Sequence, residues 1–289
     1  MINTRTTRRF LAAAILGICA PIGAAEKCDA DPAAAMSGRG WPGLNGSVVN
    51  YEYNGFAGFR LSFCNGTLHW LGDKGLFEGI TARVQPVVSK VAEGIMSWPT
   101  PDGGGDNVVM NFNDGTVFGH LGADASFDLI SGPIQCRDTA DCQPPEGEPT
   151  APPMIIARMM LNAWKLGYLT PGRAMGALKE PGKTAPADAA GKAELSGRTI
   201  AYETPQGTLR MRIDGSTTDV SIGAGQRSTS PTYATRVSDG IYFISWDGQP
   251  SGNHVVLNSH DMRVYDQIAA DGTRAESIHE VTCLSTGHC

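Results

Sequence analysis

Tyr51 and Tyr53 stand two residues apart in "SVVNYEYNG", whose alternation reads as a β-strand, so both phenols leave it on the same side. Facing an apolar cup, they offer two hydrogen-bond donors suited to a carboxylate or phenolate. Facing a filled interior, they are core tyrosines with locally satisfied hydroxyls. Glu78 and Glu93 are the candidate acids. Glu93 precedes a turn glycine and is expected in solvent, and a lone carboxylate such as Glu78 is ordinarily exposed as well. His69 and Trp70 are strand neighbours, so one faces in and the other out; Trp70 inside is the simpler arrangement. His120 lies two past Phe118 and is placed to flank the same site. Trp98 and Tyr202 complete the candidate ligand contacts, with Tyr51, Tyr53 and Glu78 as the candidate catalytic set.

Other chemistry is poorly supported. The six histidines (69, 120, 254, 260, 279 and 288) show neither H-x-H nor H-E-x-x-H spacing, so neither a metal nor a cofactor is expected. "GGGD" at 103–106 has no following helix and is not a phosphate cradle. "FISWDG" and "ELSGR" lack the G-x-S-x-G turn. Arg210 and Arg212 share one strand face, an exposed stripe by default and an anion site if turned inward.

The elements that must position these residues occur twice. Asn111 in "NVVMNF" precedes Cys136 by 25 residues and Asn258 in "HVVLNS" precedes Cys283 by the same 25; Cys142 and Cys289 each follow six later. Tyr51 pairs with Tyr202 and Trp98 with Trp246 in this scheme, which implies duplication of a whole small domain. Short alternating strands punctuated by Gly, Asn and Asp argue an all-β fold of two tandem antiparallel barrels or sandwiches. The expected units are 1–25 signal peptide, 26–145 first barrel, 146–196 connector and 197–289 second barrel. Within the connector, "MIIARMMLNAWKLG" has apolar residues at helical spacing, for packing between domains. Thr170-Pro171 is placed to open a short second helix, and "EPGKTAPADAAGKAE" reads as flexible.

Arg5, Arg8 and Arg9 ahead of a short apolar run and "IGAA" mark an export signal, giving a periplasmic or secreted protein without a stable membrane anchor. Removing 1–25 takes Cys19 and leaves six cysteines, an even number suited to disulfides outside the cytoplasm. The repeat selects Cys136–Cys142 and Cys283–Cys289, leaving Cys28–Cys64; zinc is the alternative, with poor ligand spacing. A net charge of −6 without a basic run in the mature chain argues against nucleic acid as a partner, and the oligomeric state is open.

"YEYNG", "NGTLHWLGDKGLFEG", "KVAEGIMSWPTPDG" and "VVMNFNDGTVFGH", with "SDGIYFISW" and "HVVLN" in the second copy, resemble the pattern of MoaF-like proteins and bacterial phenolic acid decarboxylases. The resemblance implies lipocalin-like (calycin) barrels, two in tandem as in MoaF-like proteins. It also implies a small aromatic or amphipathic carboxylate as ligand, held by Tyr51 and Tyr53, with lyase-type chemistry if the protein is an enzyme. The family's Arg and Glu are not matched: Ile80 stands at the first place and Thr100 at or near the second, while Thr204 replaces the second tyrosine of the pair in the later copy. The alternatives are a non-catalytic carrier or sensor, and an interaction protein with filled barrels.

Overall fold

The computed structural model describes residues 43–53, 56–86, 88–99, 107–120, 129–167, 186–224, 226–246, 253–266 and 277–286. The first nine strands are β1 (Val48–Tyr53), β2 (Ala57–Cys64), β3 (Thr67–Gly75), β4 (Thr81–Val84), β5 (Ser89–Ala92), β6 (Ile95–Pro99), β7 (Asn107–Asn111), β8 (Thr116–His120) and β9 (Leu129–Arg137). The second nine are β10 (Thr199–Thr204), β11 (Gly207–Asp214), β12 (Thr217–Ile222), β13 (Gln226–Pro231), β14 (Tyr233–Ser238), β15 (Ile241–Trp246), β16 (Asn253–Asn258), β17 (Arg263–Asp266) and β18 (Ser277–Ser285). Each set is an antiparallel meander whose first and last strands also pair, β1 with β9 and β10 with β18. Among the described residues, each ring of hydrogen bonds is interrupted at one place, between β4 and β5 and between β13 and β14. Two near-closed barrels in tandem therefore follow from two runs of the same alternation.

The alternation predicted for β2 holds: Ala57, Phe59, Leu61 and Phe63 are buried while Arg60, Ser62 and Cys64 are partly exposed. In β11, Leu209, Met211 and Ile213 are buried between exposed Arg210, Arg212 and Asp214. Asp214-Gly215 turns the chain from β11 into β12, Gly215 taking a φ of 52° that a side chain would disfavour. The open β4 edge is covered by the chain that follows the first barrel. Thr150 donates its N–H to the Thr81 carbonyl at 2.8 Å, and its Oγ1 accepts the Thr81 N–H at 3.1 Å.

The two barrels meet through a second apolar layer, formed by side chains that point away from each interior: Val91, Ile95, Val109 and Phe118 against Tyr233, Val237, Ile241, Phe243, Val256 and Tyr265. The repeated asparagines lie at this junction. Val91 and Val237 are the extra residues of matching β-bulges, in β5 and β14 respectively. A bulge takes its extra residue out of the ladder and leaves backbone groups needing partners. Asn258 Nδ2 donates to the Val91 carbonyl at 2.8 Å, and Asn111 Nδ2 donates to the Val237 carbonyl at 3.0 Å. The contact is reciprocal, as across a two-fold axis.

The connector departs from expectation. Helix α1 (Pro152–Lys165) forms where the periodicity placed a helix, but it packs on the first barrel rather than between domains. Ile155, Met159 and Ala163 join that core, and Asn162 Nδ2 donates to the Leu76 and Glu78 carbonyls, both at 3.0 Å. The tract read as flexible contains helix α2 (Pro186–Leu195), which lies on β14 so closely that a Cβ on Gly191 would sit 2.6 Å from the Ala234 carbonyl oxygen. Glu194 fixes it there, accepting from Arg236 at 3.0 Å and from the Tyr242 hydroxyl at 2.8 Å. The helix proposed after Thr170-Pro171 lies outside the described residues.

Cys136 and Cys142 form a disulfide, and Cys64 and Cys283 are also disulfide-bonded; their expected partners Cys28 and Cys289 lie outside the described residues. With a sequence separation of six, removing the first bridge by C136S/C142S should lower unfolding free energy by about 2 kcal/mol, as read from urea denaturation.

Candidate functional site

The end of the first barrel where β1 finishes gathers the predicted tyrosines. Tyr51 and Tyr53 are 4% and 3% exposed, inward-facing, with ring centroids 5.3 Å apart. Tyr51 stacks on Phe59 at 5.1 Å; Phe59 in turn meets Trp70 at 5.8 Å and Phe77 at 5.3 Å. Two glycines make room for Tyr53, Gly119 beside its ring and Gly132 beside its backbone. A Cβ on Gly119 would fall 2.4 Å from its hydroxyl oxygen, and one on Gly132 would fall 1.7 Å from the Glu52 carbonyl oxygen behind it. The result is an aromatic-walled interior bearing two phenols.

Trp70 packs against this interior and His69 faces away, its Nε2 3.0 Å from Thr81 Oγ1. Burial pushes the His69 imidazole below its ordinary value, helped by the Arg83 charge and opposed by Glu148. Glu78 does not join the tyrosines: its side chain is exposed in the turn after β3, where its backbone carbonyl serves Asn162. Glu93 is in solvent and ion-paired with Lys90, which holds its carboxyl below the usual range. His120 ends β8, opposite Asn107 and Leu129. Trp98 is buried against Phe63, with centroids 5.6 Å apart.

The pairing of Trp98 with Trp246 needs correction. Ile95 and Ile241 are the residues opposite the two asparagines; Trp98 opposes Val108 and Trp246 opposes Asn253, so the tryptophans are offset by two positions on the same face. Tyr51 and Tyr202 do correspond, opposing Phe59 and Leu209 beside matching bulges.

The second barrel fills the same end differently. Counting from Asn111 and Asn258 through the strand pairs, Gly119 corresponds to Asp266 and Gly132 to His279. Thr204 stands where Tyr53 does. Asp266 is 3% exposed and accepts a hydrogen bond from the Tyr202 hydroxyl at 2.8 Å, while the His279 ring lies 5.2 Å from that of Tyr202. Burial, the Asp266 charge and this hydrogen bond all push the Tyr202 phenol well above its ordinary value. Asp266 was not anticipated. The alternation Val264-in, Tyr265-out, Asp266-in carries the signal for it, because a charged residue in inward register is rare without a purpose. Tyr202–Asp266–His279 is thus a second polar centre, suited to holding a proton or a hydrogen-bond donor.

His279 is also pushed below its ordinary value, chiefly by burial and against a hydrogen bond that its ring donates to the Glu203 backbone carbonyl. Because the fold favours neutral imidazole at His69 and His279, their contribution is intact above the unfolded value near pH 6.5 and declines as pH falls through the lowered folded values. Urea midpoints should therefore fall between pH 7.5 and pH 5, and an H69N/H279N double variant should fall less.

Among the described residues, no group of three or more His, Cys, Asp or Glu side chains is placed to hold a metal, and no helix is long and apolar enough to cross a membrane. No family model matches the chain, and no curated protein matches it. A solved structure described as "a putative beta-lactamase from Burkholderia vietnamiensis" is similar at 20% identity, covering 32% of this chain and 95% of that one, with a TM-score of 0.28. At that score the likeness carries no argument.

Proposed function

We propose that this is an exported MoaF-like protein that binds a small aromatic or amphipathic carboxylate in its first barrel, between Tyr51 and Tyr53, without turning it over. One observation carries the reading: the two buried phenols share an aromatic-walled interior, and the one buried carboxylate among the described residues, Asp266, belongs to the other barrel. An anionic ligand entering the first barrel would meet hydroxyl donors and ring edges rather than a like charge. Turnover is left out because the groups a lyase would need are missing from the places the family uses. Ile80 and Thr100 replace the Arg and Glu, and Glu78 is exposed. Periplasmic location rests on the N-terminal signal and accords with the disulfides.

Titrating the protein with 4-hydroxycinnamate while following tryptophan fluorescence tests the reading. Saturable quenching with an unchanged ultraviolet spectrum of the acid is expected, and Y51F/Y53F should lose the quenching while its melting temperature shifts by only a few degrees, since each change removes one hydroxyl worth roughly 0.5–1.5 kcal/mol. Absence of quenching would favour a second reading, an interaction protein with filled barrels, for which the contacts among Tyr51, Tyr53 and Phe59 at 5.1–6.0 Å speak. Loss of the cinnamate absorbance during incubation would instead restore the lyase.

A further inference from the structure

The outer face of the second barrel carries a groove of about 360 Å³ across β10 to β13, and its wall is basic on a chain whose net charge is −6. Strand register explains how it forms. Arg210 lies directly opposite Ser221, and Ser221 directly opposite Arg227, so two arginines from β11 and β13 flank one serine on the strand between them. With strands about 4.8 Å apart, the two backbones are roughly 10 Å from each other, close enough for both long side chains to reach over Ser221. All three residues point away from the interior: Arg210 and Arg227 are exposed and Ser221 half-buried.

The next row, two residues along, is built otherwise. There Arg212 lies opposite Asp219, and Asp219 opposite Thr229, whose hydroxyl donates to the Asp219 carboxylate. The groove's lining therefore holds three guanidiniums against one carboxylate, with the imbalance concentrated in the row that has Ser221 at its centre. The first barrel gives a built-in comparison. Arg60 occupies the place of Arg210, and its guanidinium is ion-paired with Asp73 at 2.7 Å.

We propose that this groove binds a multiply charged oxyanion, a phosphate or carboxylate cluster gripped by Arg210 and Arg227 over the Ser221 hydroxyl, with Arg212 adding charge from the adjoining row. Guanidinium groups suit this task because each presents paired N–H donors matched to two oxygens of one anionic group. The site is separate from the first-barrel tyrosines and does not depend on their role. The competing explanation is that Arg227 merely blunts the open β13 edge with a charge, as edge strands commonly do. That explanation predicts no saturable ligand.

Calorimetric titration of the full chain at low salt with inorganic pyrophosphate in one arm and citrate in the other tests the site. Saturable binding of at least one probe is expected, with R210A/R227A weakening it at least about tenfold, as loss of charge-assisted contacts implies, while R60A leaves it unchanged. Binding of pyrophosphate alone assigns the site to phosphates, and of citrate alone to polycarboxylates; either upholds the proposal. No saturable heat with either probe, or equal affinity in R210A/R227A and wild type, would overturn it. Melting curves of the variants, expected to coincide with wild type because both side chains are exposed, separate loss of binding from loss of fold.

Discussion

Replacing Asn258 with alanine should destabilise the protein by about 2–4 kcal/mol, and Asn111→Ala should do nearly the same. Each amide is buried, at 2% and 0% exposure, and serves two masters. Asn258 Oδ1 accepts from the His260 and Asp261 N–H groups at 3.0 and 3.1 Å, holding the β16–β17 turn, while its Nδ2 crosses to the first barrel. Asn111 repeats both roles, accepting from Asn113 and Asp114 and donating to Val237. Losing the amide strands two turn N–H groups and one bulge carbonyl, which is where the magnitude comes from. For a chain of this size the melting temperature should drop by roughly 5–15 °C. Asn258→Asp separates the two roles, because it keeps an acceptor for the turn but sets a carboxylate against the Val91 carbonyl. It should be at least as damaging as the alanine variant; a melting curve like wild type's would mean that the cross-barrel bond contributes nothing.

Gly119 and Tyr53 should behave as one unit. Gly119→Ala pushes a methyl to within 2.4 Å of the Tyr53 hydroxyl and should cost about 1–3 kcal/mol by overpacking. Tyr53→Thr, which installs the residue type found at Thr204, should cost about 3–5 kcal/mol through the cavity it leaves. In the double variant the added methyl has space, so the two effects should fall short of their sum by about 1–3 kcal/mol. Strict additivity in urea denaturation would mean that the ring does not lie against Gly119.

The architecture was legible because barrels are written in period two: the inward residues of β2 and β11 follow from alternation alone. The repeat was legible from Asn111, Asn258 and the cysteine spacing. Its meaning was not, since a bulge carbonyl on the other barrel is a tertiary partner with no trace in local spacing. Glu78 is exposed in the turn after β3, as a lone carboxylate ordinarily is, so its place in the candidate catalytic set has no support from its position. Composition misjudged α2: an Ala-, Gly- and Lys-rich tract suits a linker, yet Gly191 lets the same tract settle on β14. Trp98 and Trp246 misled through a shared "S-W", because a two-residue offset preserves the face and conceals the change of register.

The asymmetry between the barrels is the centre of the functional account, and the stoichiometry of binding measures it most directly. Calorimetric titration with 4-hydroxycinnamate should give one site per chain, abolished in Y51F/Y53F and retained in Y202F, whose hydroxyl is engaged with Asp266 in the other barrel. Two equivalent sites, or binding lost in Y202F and kept in Y51F/Y53F, would contradict it.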